Sequence, residues 1–166
     1  MTPSRASASA LAVWEDPHNV DPAYARTRVR HEALPALVEA LGPDVVSGLA
    51  RSARLLGDDA DALDALAREA AAAVVAPDGS LDVVGLAALP RALRTRILRS
   101  AAIASGCPAG ALTSAHVDRL EALVSDWHGQ GAADLPGGLA GERSYGRLAI
   151  RRVPPVAERR RHDREE

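Results

Sequence analysis

The sequence predicts a mainly α fold: a small helical domain built around one long helix, with a short β-hairpin or meander at the C-terminus. Three observations carry this. The 166 residues include 35 alanines and 20 leucines but no phenylalanine, two tyrosines and two tryptophans, so strong helix formers abound while aromatic strand formers are scarce. Val45, Leu49, Ala53, Leu56, Ala60, Leu63, Ala67, Ala70 and Val74 recur at spacings of three and four, the stripe of an amphipathic helix. After Gly129-Gln130-Gly131 the pattern changes to short apolar runs separated by turn residues, which reads as strands. The chain is long enough for one domain with a core, and that core must be small-residue helix packing.

Taken in order, residues 1–13 are rich in Ser and Ala and carry no clear cap. Trp14-Glu15-Asp16-Pro17-His18-Asn19 is turn chemistry. Asp21-Pro22 supplies an N-cap followed by proline at the first helical position, so a helix begins near 22 and stops or kinks near Pro35. Leu34, Leu37, Val38 and Leu41 continue an apolar face to Gly42-Pro43. The long helix then spans about 43–76, roughly 50 Å at 1.5 Å per residue. On its wet side Arg54–Asp58 and Asp64–Arg68 are i,i+4 pairs, each contributing ~0.3 kcal/mol. Pro77-Asp78-Gly79-Ser80 ends it in a turn. Leu81, Val83 and Val84 suit a short extended piece. A second main helix runs from about 86 to 104, with Leu86, Leu89, Leu93, Ile97 and Ala101 inward, Leu98 interrupting an arginine face, and Pro90 fitting if it lies in the first turn of a restarted helix. Thr113 caps a third helix on which His116, Leu120, Leu123, Val124 and Trp127 share a face. Leu135–Leu139 and Ser144–Arg147 are turns between strands ending near Val153. Residues 154–166, Pro-led and highly charged, read as a disordered tail.

Charge and composition exclude several chemistries. All 20 basic residues are arginine, against 22 acids, for a formal charge of −2. Without lysine there is neither a Walker-type phosphate loop nor a Schiff-base amine. With Cys107 as the single cysteine there is no internal disulfide and no multi-cysteine zinc site. No apolar run reaches a membrane span, and the first residues are too weakly patterned for a secretory signal, so a cytoplasmic location is expected. The all-arginine, alanine-rich bias matches a high-GC genome, and arginine enrichment alone is therefore poor evidence for nucleic-acid binding. Residues 58–88 carry seven acids and one arginine.

Among candidate sites, Glu15, Asp16 and His18 read as a helix-entry turn rather than a metal site. Arg26 and Arg30 share a helix face suited to phosphate or carboxylate. Arg91, Arg94, Arg96 and Arg99 cover much of the second helix. Arg91, Arg94 and Arg99 fall within an arc of about 140°, so one duplex backbone could meet all three. Cys107 has no basic histidine near it in sequence, His116 is a core or boundary residue, and His128 a helix C-terminal one.

Several of these segments together are similar to the tRNA(Ile)-lysidine synthetase family. They are Trp14-Glu15-Asp16-Pro17-His18-Asn19, then Tyr24-Ala25-Arg26-Thr27-Arg28-Val29-Arg30 and Leu34-Pro35, the Leu89–Arg99 stretch, and Asp134-Leu135-Pro136-Gly137-Gly138. His18 stands where the family has Ser or Thr, and Thr27 where it has Asn. The family's Ser-Gly-Gly-x-Asp-Ser phosphate loop does not occur in this sequence. The resemblance is thus to the C-terminal part of the enzyme, with residues 1–20 a remnant of the nucleotide-binding domain. Residues 21–130 would then be the helical tRNA-binding domain, 131–153 the β-hairpin region and 154–166 the tail. It implies a ligase that joins lysine to the wobble cytidine of a tRNA anticodon, using ATP and magnesium in the full-length enzyme, with no cofactor bound, no metal site and no catalytic residue in this chain alone. It also implies that Asp16, Asn19, Arg26 and Arg30 border the active site. Arg91, Arg94, Arg96 and Arg99, then Arg147, Arg151 and Arg152, would contact tRNA phosphates, which fix register without reading bases. The implied partners are tRNA and a separately encoded nucleotide-binding half. The rival expectation is a helical protein-interaction module. An uncovered positive face formed by Arg91, Arg94 and Arg99 would favour RNA, whereas a mixed surface would favour the module.

Overall fold

The computed structural model of the chain describes residues 22–153. The helices are α1 (Ala25–Arg28), α2 (Leu34–Leu41), α3 (Asp44–Val74), α4 (Val83–Ala88), α5 (Arg91–Ala104) and α6 (Ser114–Ser125). The strands are β1 (Leu81–Asp82), β2 (Ala133–Leu135), β3 (Leu139–Ser144) and β4 (Arg147–Arg152). The fold is mainly α, with one long helix and a four-stranded antiparallel sheet of order β1-β4-β3-β2. Expectations placed on residues 1–21 and 154–166, Asp16 and Asn19 among them, lie outside the described residues.

The chain divides into two compact units, Met1–Leu56 and Gly57–Glu166. In the first, a π turn over Val29–Ala33 joins α1 to α2. The stop or kink expected near Pro35 takes the form of this π turn, not of a helix end. Proline cannot donate back to the preceding turn, but the chain widens just before it, with Leu34 N–H bonded to the Val29 carbonyl. Pro35 then sits in the first turn of α2, where its missing donor costs nothing. The apolar stripe at the start of α3 is not a core face. Leu49 is exposed and Leu56 is 68% exposed, and burial along α3 begins only at Ala67 and Val74. Neither i,i+4 pair forms: among the described residues the ion pairs are Arg91–Asp118, Arg94–Glu121 and Arg96–Asp64.

The second unit holds the core, in which Leu81, Leu86, Leu98, Leu120, Leu123 and Leu148 are completely buried. Leu98 therefore points inward rather than interrupting a wet face. The helix expected over 86–104 restarts at Pro90, which separates α4 from α5. Leu89, preceding Pro90, is extended at φ −80°, ψ 150°, as a residue before proline prefers. Val83 and Val84 belong to α4, not to a strand. Asp82 caps that helix, its carboxylate accepting from Gly85 N–H at 2.9 Å. Thr113 caps α6 as expected, and His116 completes a reciprocal box by accepting from Thr113 N–H at 3.1 Å. Trp127 lies beyond α6 and is partly exposed.

On the inner sheet face, Leu148 of β4 stands opposite Leu81 of β1, and Gly141 of β3 opposite Ala133 of β2. Gly141 is where α6 comes closest: a Cβ there would overlap Leu120 Cδ2. Gly141→Ala should therefore cost about 1–3 kcal/mol through overpacking. Gly57→Ala, in a helix with nothing within 4 Å of the added methyl, should stabilise by about 0.5–1 kcal/mol. Urea midpoints of the two variants should move in opposite directions, and a neutral Gly141→Ala would contradict this packing.

Candidate nucleic-acid interface

The four arginines of α5 diverge rather than share one open face. Arg94 lies deepest. Its Nε donates to Glu121 Oε1 at 3.0 Å, and Nη1 donates to the Leu89 and Ala87 carbonyls at 3.1 and 3.4 Å. The side chains of this pair are only 11% and 13% exposed. Arg94 thus closes the C-terminal end of α4, where a positive group complements the orphan carbonyls, while tying α5 to α6. Arg91 makes a solvent-exposed pair with Asp118 at 2.7 Å. Arg96 reaches Asp64 of α3 at 2.6 Å, displacing the expected Asp64–Arg68 pair. Arg99 donates to the Leu112 carbonyl at 2.8 Å and to that of Ala109 at 3.4 Å, holding the loop before α6. Arg91, Arg94 and Arg99 therefore do not form one uncovered positive face: Arg94 is enclosed, and the others are paired or bonded to backbone.

A cleft of about 740 Å³ lies between the C-terminal half of α3, α5 and the end of β4. Arg68, Arg96, Arg99, Arg151 and Arg152 line it, against two carboxylates, Asp64 and Asp78. An apolar floor includes Ile97 and Ile150. Arg151 and Arg152 are exposed on β4, opposite Ala140 and Leu139 of β3. The arrangement joins the two arginine sets that sequence reasoning had kept apart. Arg68 was missed as a site residue because its i,i+4 acid explained it locally.

At one end of the cleft a relay fixes the turn after α3. Ser80 donates its hydroxyl to Asp78 Oδ1 at 2.6 Å and accepts from Arg147 Nη2 at 2.9 Å. The Ser80 hydroxyl and amide bonds, helped by Arg147, hold the Asp78 carboxyl below its ordinary value. Arg147 is therefore partly committed to structure. Arg143 is committed too, bonding to the Leu123 carbonyl at 2.9 Å and lying 5.1 Å from the Trp127 ring centroid. Cys107 is buried and unpaired, and His128 Nδ1 lies 3.0 Å from the Asp126 carbonyl. Arg26 and Arg30 are exposed in the first unit. Among the described residues no group of three or more His, Cys, Asp or Glu could hold a metal ion, and no single helix is long and apolar enough to cross a membrane.

The second unit is thus a set of helices packed on a small antiparallel sheet with an arginine-lined open cleft. Residues 81–149 match the family described as the TilS substrate binding domain. The chain is 55% identical over 145 residues to the tRNA(Ile)-lysidine synthase of Thermobifida fusca, covering 87% of this chain and 45% of that protein. It is 55% identical over 141 residues to the Streptomyces coelicolor enzyme of the same name, covering 85% and 40%. With the Salinispora arenicola synthase it shares 56% over 149 residues, covering 90% and 45%. The family resemblance read from the sequence motifs is thus shown, and the chain spans less than half the length of the curated relatives it matches.

Glu121 supplies a test of the enclosed pair. Partial burial pushes its carboxyl up, but the hydrogen bonds from Arg94 and Ser125 and the charge of Arg94 together hold it below its ordinary value of 4.5. A depressed folded pKa gives stability that is present above the unfolded value and lost as pH falls through the folded one. Glu121→Gln should destabilise by about 2–3 kcal/mol at pH 7. Its deficit relative to wild type should shrink below pH 4.5. A deficit unchanged between pH 7 and pH 3 would contradict the assignment.

Proposed function

We propose that the chain is the tRNA-holding, C-terminal part of a tRNA(Ile)-lysidine ligase, acting with a nucleotide-binding half, and that its second unit grips the tRNA backbone through the arginine-lined cleft. The observation that carries the reading is the convergence of Arg68, Arg151 and Arg152 with the half-exposed Arg96 and Arg99 on one concavity. Five guanidiniums against two carboxylates leave a local positive excess in a chain of net charge −2. Phosphate is the ligand such an excess suits, because guanidinium forks match its oxygens. The guanidiniums of Arg68, Arg151 and Arg152 make no ion pair or side-chain hydrogen bond among the described residues, so they are the contacts we assign first. Arg96 and Arg99 stand behind them as wall residues, Arg147 at the margin, and Arg91 on a neighbouring face. The family's reaction needs ATP, a phosphate loop and magnesium. No such loop occurs in this sequence, and we derive no chemical step from this chain. The part played here is holding and registering the RNA. Arg26 and Arg30, exposed on the first unit, are the proposed border of the active site.

The interaction-module reading keeps two observations in its favour, the mixed charge of the α5 face and the exposed leucines Leu41, Leu49 and Leu56 of the first unit. It does not account for the arginine cleft.

Titration of tRNA at several salt concentrations tests the proposal. Arg151→Ala/Arg152→Ala should weaken binding and reduce the salt slope by about 0.7–0.9 per lost phosphate contact. Arg91→Ala, which removes only an exposed pair, should change both far less. Equal losses in the two variants, or a loss confined to Arg91→Ala, would overturn the cleft as the RNA platform.

A further inference from the structure

The β3–β4 hairpin closes with two residues, since Ser144 pairs with Arg147. Both loop residues have positive φ, 47° at Tyr145 and 76° at Gly146, the geometry of a type I′ turn. Asn, Asp or Gly is favoured at the first of these positions, and a bulky side chain there is strained. Tyr145 occupies it as the one non-glycine residue with positive φ among the described residues. Its ring is fully exposed, so no packing compensates the strain, in a chain that has only four aromatic residues. An unfavourable residue with no structural return points to a ligand.

Its surroundings say which. Tyr145 lines a shallow cavity of about 670 Å³ with Ser144, Arg147, Arg151, Asp78 and Glu142. Asp78 and Arg151 also line the arginine cleft, so the two concavities adjoin. Two acids balance two arginines, which makes this second cavity a poor phosphate site. An aromatic face with carboxylate acceptors beside it suits a nucleobase, stacked on the ring and donating its exocyclic amino hydrogens. The Glu142 carboxylate has no hydrogen-bond or ion-pair partner among the described residues, which leaves it available as that acceptor. We infer that Tyr145 is a stacking platform for one unpaired base of the RNA whose backbone lies in the adjoining cleft. The inference rests on the RNA reading above and adds to it a site for a base.

The test compares the 166-residue chain with Tyr145→Asn and Tyr145→Phe against three probes: tRNA, a short single-stranded RNA and a blunt RNA duplex. Tyr145→Asn removes the ring while improving the turn. It should therefore melt at the same or a higher temperature, yet bind tRNA and the single strand about 5-fold or more weaker, the loss of one stacked base. Duplex affinity should be unchanged, and Tyr145→Phe should bind all three like wild type. Wild-type affinity in Tyr145→Asn for both tRNA and the single strand would overturn the stacking site alone. An equal loss in Tyr145→Phe would do the same. Failure of the wild-type chain to bind any of the three RNAs would overturn the RNA reading and this inference together.

Discussion

The guanidinium of Arg94 joins three elements of the second unit, bonding to the last carbonyls of α4, rising from α5 and pairing with Glu121 of α6. Much of the unit follows from that junction. With α6 held in place, Leu120 is pressed against Gly141 of β3, and the sheet is seated through the completely buried leucines 81, 123 and 148. Seating the sheet carries the end of β4 to the mouth of the cleft. A core without phenylalanine lacks the large apolar surfaces that usually align elements. Directional guanidinium bonds supply part of that alignment here, with Arg99 on the loop before α6, Arg143 on the end of α6 and Arg147 on the turn after α3.

This double use of arginine explains where the sequence was legible and where it was not. Helix identity and the strand region followed from alanine, leucine and turn patterning, and Thr113 was read correctly as a cap because its chemistry is local. The failures share a cause. Leu98 is buried beside Ile97 and Ala102, so the inward face of α5 is wider than the stripe that spacing picks out through Leu93, Ile97 and Ala101. The stripe from Val45 to Leu56 has helical periodicity, but periodicity alone does not supply a partner, and none covers Leu49 or Leu56 among the described residues. At Pro35 the compensating π turn comes from backbone register, which side-chain spacing does not encode.

The site was half legible for the same reason. Arg96, Arg99, Arg151 and Arg152 were named from sequence, but as two separate groups, since nothing local indicates that α5 and the end of β4 border one cleft. Arg94 was chosen for its helical angle, and angle cannot distinguish a solvated arginine from one matched to a glutamate 27 positions away. Family likeness ranks the readings where surface charge does not. The mixed face of α5 alone suits an interaction module, whereas identity near 55% to tRNA(Ile)-lysidine synthases and the cleft's positive excess favour RNA.

Hydrogen exchange of the chain with and without tRNA tests the central claim most directly, because it locates the bound surface without altering any residue. Slowed exchange is expected in two places that meet only in the folded unit, the backbone after α3 over residues 75–80 and the end of β4 over residues 149–153. Protection confined to α2 and the first half of α3, with residues 75–80 and 149–153 unchanged, would contradict it.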